Sequence, residues 1–303
     1  MDIRSKIILV SGPTASGKSR LAVFLAKRIR GEIINADSMQ VYKELNILTA
    51  RPSLKQKSKI KHHLYGFLSV KKKFSTGQWL KLALKKIKEI KKNNKTPILV
   101  GGTGLYFKAL VDGLVKIPKI SANKRKSIVN LQKKVGQINF YNKLIKIDPK
   151  VKHIVNPNDI QRCIRAYEVK WFTKKSLLDW YKDTKSPFLK DNFVKIYLDC
   201  PKELLLDRIK IRAQKMLPKA INEVRRFANL RVPKSNSSTK IIGITEIKKL
   251  IDKKLNKDQT IELIVIKTRQ YAKRQATWAR GQMKNWKRVS AIDTKFSLKK
   301  LFN

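Results

Sequence analysis

Residues 7–19, with the sequence IILVSGPTASGKS, constrain the fold more than any other part of the chain. The aliphatic run at the start of this segment predicts a buried strand, and the apolar pattern of residues 20–29 predicts a helix. Between the two lies a phosphate-binding loop pattern: glycine, four residues, glycine, lysine and serine. Its fixed positions are Gly12, Gly17, Lys18 and Ser19. The motif predicts a phosphate or diphosphate site but does not identify the ligand.

The residue types explain this chemistry. Glycines allow the backbone to turn its N–H groups toward an anion at a helix start, where the helix dipole already favours negative charge. Lys18 adds a mobile ammonium group, and the hydroxyl of Ser19 can bind a phosphate-bound Mg²⁺ ion.

The charge of the chain is strongly positive, with 71 Lys and Arg against 21 Asp and Glu and a formal net charge of +50. This excess fits either a polyanionic partner or a general lysine bias, because the lysines run through the whole chain. Two cysteines cannot form a disulfide framework, and no apolar run approaches the roughly 20 residues that span a bilayer. The first strand leaves no room for a signal peptide, so we expect a cytoplasmic protein without membrane association.

Two further strand ends carry polar groups. Residues 32–37 predict a strand that ends in Asp37, and residues 97–100 predict another that leads into Gly101-Gly102-Thr103-Gly104. Ligands lie at the carboxyl ends of the strands in an open α/β sheet, which would bring Asp37 and Thr103 near the phosphate loop. The alternatives are that Asp37 caps the next helix and that the glycine turn serves packing alone.

The alternation of strand and helix stops between Lys116 and Ser186, where the sequence is helical and basic, and it resumes with a strand at residues 195–200. The predicted fold class is therefore α/β. We expect a P-loop NTPase-like core, with a parallel sheet flanked by helices, formed by residues 1–115 and 187–303. Residues 116–186 would form a helical insertion domain.

Three helices carry basic faces. Gln161 and Arg165 are one helical turn apart, and so are Arg208 and Arg212 on a helix expected at residues 204–216. Each pair could contact phosphates or simply face solvent with surface ion pairs. The last long helix, expected at about residues 260–283, presents a stripe that suits a nucleic-acid backbone: Arg269, Lys273 and Arg280.

Taken together, these separate motifs resemble those of the tRNA dimethylallyltransferases (tRNA isopentenyltransferases), and the resemblance covers nearly the whole length. The resemblance is to the bacterial form without a carboxy-terminal zinc finger, because no Cys/His pattern follows the last block. The first four matching blocks are residues 12–19 (GPTASGKS), 37–43 (DSMQVYK), 49–52 (TARP) and 101–110 (GGTGLYFKAL). The fifth block is residues 156–159 (NPND), followed by Gln161, Arg162, Arg165 and Ala166. The sixth block consists of residues 268–270 (TRQ), 273–275 (KRQ) and 277–278 (TW). Two departures are Gly243-Ile244-Thr245-Glu246, where the family usually has Gly-Tyr-Lys-Glu, and residues 216–220, which lack the usual glycine.

The resemblance implies transfer of the dimethylallyl group of dimethylallyl diphosphate to N6 of the adenosine that follows the tRNA anticodon, giving N6-isopentenyladenosine and diphosphate. The phosphate loop, although of the nucleotide- and ATP-binding type, would hold the diphosphate leaving group together with a Mg²⁺ cofactor, for which Ser19 is the implied ligand. The implied loop residues are Gly12, Thr14, Ala15, Ser16, Gly17, Lys18, Ser19, Arg20 and Leu21.

The same resemblance assigns further roles. Asp37 would be the general base for N6, assisted at the diphosphate by Lys18, Thr14 and Arg212. The implied partner is the tRNA anticodon stem-loop, bound by a monomer. The implied tRNA contacts are Asp37, Ser38, Met39, Gln40, Thr103, Arg125, Gln161, Arg162, Cys163, Ile164 and Arg165.

Three other functions share part of this pattern. A small P-loop kinase has the first motif and paired arginines, but it does not account for the glycine turn, the Asn156 block or the insertion. A GTPase would require an Asn-Lys-x-Asp motif, which is absent. A basic RNA-binding module with an inactive loop does not explain the intact Lys18, Ser19 and Asp37.

Overall fold

The computed structural model describes residues 3–53, 58–118 and 120–292. Within these ranges six strands form one sheet in the order β3-β2-β4-β1-β5-β6, and every neighbouring pair is parallel. The strands are β1 (Ile7–Ser11), β2 (Gly31–Asn35), β3 (His62–His63), β4 (Thr96–Gly101), β5 (Phe193–Asp199) and β6 (Lys287–Ser290). The predicted parallel sheet is confirmed.

Ten α-helices are present in the described part of the chain. They are α1 (Lys18–Arg28), α2 (Thr76–Lys92), α3 (Gly104–Val111), α4 (Ala122–Val135), α5 (Gln137–Ile147), α6 (Ile160–Thr173), α7 (Leu177–Lys182), α8 (Lys202–Asn229), α9 (Ile244–Ile251) and α10 (Lys257–Gln282). None of these helices combines the length and the apolar character needed to cross a membrane.

Strand β1 lies in the interior of the sheet, and each of its five residues is buried. Ile7 and Leu9 belong to the apolar cluster that contains Trp79 on α2, whereas Ile8 and Val10 belong to the cluster on the other face. This alternation follows from the two-residue period of a strand, and burial on both faces is typical of a parallel sheet covered by helices. The phosphate loop therefore begins at the carboxyl end of a rigid central strand.

The chain divides into two compact units, Met1–Val111 with Phe188–Asn303, and Asp112–Pro187. The second unit contains α4 to α7 around its own apolar core, which includes Phe140, Leu144 and Tyr167. This unit begins four residues before the insertion expected from the sequence (residues 116–186) and ends one residue after it.

Helix α8 differs from its prediction. We expected a helix over residues 204–216, but α8 continues to Asn229 with Pro218 inside it. A proline in a helix interior is unfavourable because it lacks the N–H donor. The buried apolar face of Leu217 nevertheless continues beyond the proline with Ala220, Val224 and Phe227, and this packing outweighs the local cost.

Three other segments also differ from their local sequence signals. The composition of residues 235–239 is typical of an exposed loop, yet Asn236 and Ser238 are buried and donate to the Val70 carbonyl at 3.3 and 2.8 Å. Strands β3 and β6 were not predicted. Each is short, lies at an edge of the sheet and has at most one buried residue, so the sequence shows no alternation of apolar and polar residues.

Candidate active site

The phosphate loop connects β1 to α1 in the conformation that its glycines allow. Gly17 precedes α1 with φ of 99°, in the left-handed region that favours glycine. A Cβ atom at Gly12 would lie 2.9 Å from the Leu198 carbonyl oxygen. The first N–H groups of α1 have no partner within the helix, so this end of α1 can bind an anion.

Lys18 lies in a desolvated position within this loop. Its Nζ donates to the Pro13 carbonyl at 3.1 Å. Burial lowers the pKa of Lys18 to about 8; the nearby Asp37 carboxylate partly offsets this effect, and Arg212 adds to it. The ammonium is therefore mostly charged at neutral pH but poorly solvated, which favours binding of an anion.

Two arginines of α8 contact the phosphate loop directly. Arg208 Nη1 donates to the Ser16 carbonyl at 2.9 Å, and Arg212 Nη1 lies 3.3 Å from Thr14 Oγ1. Burial lowers the pKa of Arg212, an effect that Asp37 partly opposes. Both arginines thus lie beside the phosphate loop, and their contact with phosphates stays a prediction.

Asp37 follows β2 and does not cap a helix. Its Oδ1 accepts the Met39 N–H at 2.9 Å, and its own N–H donates to Asn35 Oδ1 at 2.9 Å. The residues after it form turns, so the helix-cap alternative is wrong. These bonds hold the carboxylate at the carboxyl end of β2, two strands from the phosphate loop.

The glycine turn after β4 contributes both packing and a polar group. A Cβ atom at Gly101 would lie 2.0 Å from the Ala36 carbonyl oxygen, so the turn depends on glycine to approach the Asp37 segment. Thr103 Oγ1 accepts the Ser38 N–H at 2.9 Å and lies 3.2 Å from Ser38 Oγ. Thr103 is thereby joined to the predicted tRNA-contacting segment.

Gln275 on α10 connects the two glycine-containing turns. Its Oε1 accepts the Thr14 N–H at 2.8 Å, and its Nε2 donates to the Gly102 carbonyl at 3.0 Å. Sequence reasoning placed Gln275 in a matching block but assigned it no position in the site. Its contacts to Thr14 and Gly102 span 261 and 173 residues, which no local pattern can reveal.

A cavity of about 270 Å³ opens beside these groups. Thr14, Asp37 and Arg212 contribute to its polar part. Sequence reasoning did not identify its apolar lining, which includes Leu48, Ile209, Ala213, Met216, Ile241, Ile242 and Ile264. Tyr271 and Arg274 of α10 also line it. The cavity can hold an apolar group next to a carboxylate and two anion-binding groups.

The remaining predicted site residues differ in accessibility. Ser19 and Arg20 are exposed on the first turn of α1, whereas the Leu21 side chain packs in the core. In the helical unit, Gln161 and Arg162 are exposed, Ile164 and Arg165 are half-buried, and Cys163 is completely buried. The Leu21 and Cys163 side chains are therefore not accessible to a ligand, and the predicted contacts of these residues stay predictions.

The family model described as IPP transferase matches residues 40–282 of this chain. The chain belongs to that family. A protein named tRNA dimethylallyltransferase from Pelagibacter ubique (strain HTCC1062) is 54% identical over 302 residues, covering 99% of this chain and 96% of the relative. A protein of the same name from Rickettsia massiliae (strain Mtu5) is 44% identical over 284 residues, covering 93% of this chain and 78% of the relative.

Solved structures of the IPP transferase family share the fold. The tRNA isopentenylpyrophosphate transferase of Bacillus halodurans matches with a TM-score of 0.66 and 32% identity, over 95% of this chain and 90% of that one. A eukaryotic dimethylallyltransferase, described as acting on tRNA, matches with a TM-score of 0.85 and 27% identity, over 98% of this chain and 77% of that one. The predicted family and the predicted transferase class are confirmed.

Proposed function

We propose that this IPP transferase moves the dimethylallyl group of dimethylallyl diphosphate to N6 of the adenosine that follows the anticodon of a tRNA. The N6 lone pair attacks C1 of the dimethylallyl group as the C1–O bond breaks. Diphosphate leaves with the electron pair of that bond, and the N6 proton passes to Asp37. The products are N6-isopentenyladenosine in the tRNA and diphosphate.

One observation carries this proposal: the Asp37 carboxylate lies on the wall of a mainly apolar cavity together with Thr14 and Arg212 of the diphosphate side. An exocyclic amine is a poor nucleophile because its lone pair is delocalised into the ring. A carboxylate within hydrogen-bonding reach can orient that amine and accept its proton. The apolar lining suits the five-carbon group and excludes water from it.

The diphosphate end would be bound by the loop N–H groups, Lys18 and Arg212. Desolvated positive groups, already in position where charge develops, stabilise the leaving group without reorganisation. Thr14 supports this arrangement through its bond to Arg212.

The donor set suits Mg²⁺ bound through the substrate. Within the described residues no group of three His, Cys, Asp or Glu side chains could hold a metal ion by itself. Mg²⁺ commonly uses one or two protein ligands together with substrate phosphates, and the exposed Ser19 hydroxyl lies at the anion-binding end of α1. When bound there, the ion would neutralise charge on the diphosphate.

The target base must leave the stack of the anticodon loop to reach the cavity, at a cost of a few kcal/mol. Binding of the surrounding stem-loop would offset this cost. The exposed Arg269, Lys273 and Arg280 of α10 support such binding from the core. In the helical unit, Arg125, Gln161, Arg162 and Arg165 offer further polar and cationic groups.

The test is incubation of the protein with labelled dimethylallyl diphosphate, Mg²⁺ and unmodified tRNA, followed by nucleoside analysis. We expect label in N6-isopentenyladenosine, and none when the target adenosine is replaced by guanosine. A parallel reaction with ATP tests the kinase alternative. Phosphate transfer from ATP without prenyl transfer to tRNA would refute the proposal.

A further inference from the structure

Glu168 on α6 is a buried carboxylate in the helical unit. Only 1% of its side chain is exposed. A carboxylate in such a position is costly unless it is paired and hydrogen-bonded. Its two oxygens meet two arginines: Oε2 accepts from Arg165 Nη1 at 3.2 Å, and Oε1 lies 3.4 Å from Arg125 Nε.

The two arginines come from different helices and remain accessible. Arg125 lies on α4 with 59% of its side chain exposed, and Arg165 lies on α6 with 36% exposed. A guanidinium group has five N–H donors in a planar fork. Each arginine therefore keeps donors for another acceptor after its contact with Glu168.

Without Glu168, two neighbouring cations would repel each other and their long side chains would sample many rotamers. A shared buried carboxylate offsets the repulsion and restricts both side chains. The resulting cluster has one buried negative charge beneath two partly exposed positive charges. A planar fork held in this way can bind a phosphate in a bidentate manner.

We propose that Glu168 is a positioning residue that holds Arg125 and Arg165 together as a phosphate-binding pair for the RNA backbone. The inference rests on the proposed function, because it takes tRNA as the ligand. Glu168 contacts no RNA itself; it acts through the two arginines.

One other ion pair of this unit provides a matched comparison. Lys150 pairs with Asp179 at 2.8 Å, and the lysine side chain is exposed. Asp179→Asn removes the same unit of negative charge as Glu168→Gln from the same helical unit. It leaves Arg125 and Arg165 in place.

The experiment measures the Kd of a synthetic anticodon stem-loop for the wild-type protein, Glu168→Gln and Asp179→Asn over a range of salt concentrations. General electrostatics predicts tighter binding for both variants, since each makes the protein more positive. Positioning predicts the opposite sign for Glu168→Gln alone: binding should weaken by about 10- to 100-fold, on the scale of one charge-assisted hydrogen bond. The plot of log K against log salt should also become less steep, by about 0.7 for each phosphate of a single-stranded segment that the variant no longer binds.

A second series separates positioning from damage to the fold. In this series Glu168→Gln is introduced into the double variant Arg125→Ala/Arg165→Ala. Because the two arginines are already absent there, the loss of Glu168 should change the Kd for the stem-loop by less than twofold. A further large drop in affinity in that background would overturn the proposal. So would binding by Glu168→Gln as tight as that of the wild type.

The outcome for the wild-type protein keeps the two proposals distinct. If the wild type prenylates tRNA but Glu168→Gln binds the stem-loop normally, only the positioning role fails. If the wild type neither binds nor prenylates tRNA, the proposed function fails.

Discussion

Replacing Lys18 by methionine should stabilise the protein while removing most of its activity. Burial lowers the pKa of Lys18 from 10.5 to about 8. At about 1.4 kcal/mol for each pH unit, keeping this lysine charged in the folded state costs roughly 3 kcal/mol. Losing the hydrogen bond to the Pro13 carbonyl offsets about 1 kcal/mol. Lys18→Met should therefore raise the free energy of unfolding at pH 7 by about 2 kcal/mol.

The pH dependence follows from the direction of the shift. Between pH 8 and 10.5 the unfolded chain holds the Lys18 proton more tightly than the folded chain does, so this residue makes stability rise with pH. Below pH 8 both states are mostly protonated and the full cost remains. The stabilising effect of Lys18→Met should accordingly be largest at neutral pH and shrink as the pH approaches about 10.

Urea unfolding at about pH 7 and pH 10 measures this effect, with Lys27→Met as the control because Lys27 is exposed on the same helix. Transfer by Lys18→Met at saturating dimethylallyl diphosphate should fall by about 10²- to 10³-fold. A variant no more stable than the wild type at neutral pH, or equally stabilised at both pH values, would refute the desolvation argument. Near-normal turnover would refute the role of Lys18 at the diphosphate.

Three further predictions concern other parts of the site. Asp37→Asn keeps the size of the side chain but loses its basicity, so the single-turnover rate should fall about 10²- to 10⁴-fold with a smaller change in the Kd for tRNA; lost binding at an unchanged rate would contradict the general-base role. Replacing residues 112–187 by a short linker should abolish tRNA binding but spare diphosphate binding in a folded core, and unchanged tRNA affinity would contradict that assignment. Glu223 is buried and accepts the N–H groups of Asn46, Ile47 and Leu48 at 2.6 to 2.9 Å, so Glu223→Gln should lower the free energy of unfolding by about 1–3 kcal/mol. Glu223→Gln should also raise the KM for dimethylallyl diphosphate, because Leu48 lines the cavity. An unchanged KM would show that the loop of Asn46, Ile47 and Leu48 does not contribute to substrate binding.

Local patterns predicted the elements whose cause is local. The phosphate loop depends on glycine conformations and on a helix start, and both are properties of adjacent residues. The capping box of α2, in which Ser75 and Gln78 bond reciprocally, has an equally local cause, because its two residues are three positions apart. The parallel sheet followed from buried strands that alternate with helices.

The failures occurred where packing opposed the local signal. Pro218 is a strong helix breaker, yet α8 passes through it because the residues beyond it bury an apolar face. Strands β3 and β6 are too short and too exposed to show a periodic pattern, and only their neighbours in the sheet define them.

The sequence alone determined the phosphate loop from residue types at fixed short spacings and the parallel sheet around β1 from buried strands that alternate with helices. It also determined the family, from motif blocks in a fixed order along the chain, and that resemblance named Asp37 as the candidate base. Only the tertiary structure decided which distant groups meet. Arg212 and Thr14 are 198 residues apart, and Gln275 and Thr14 are 261 apart. Their contacts depend on how α8 and α10 pack against the core, which is a property of the whole apolar interior. The cavity that joins an apolar wall to Asp37 has the same origin, since its lining comes from segments that no local interaction brings together.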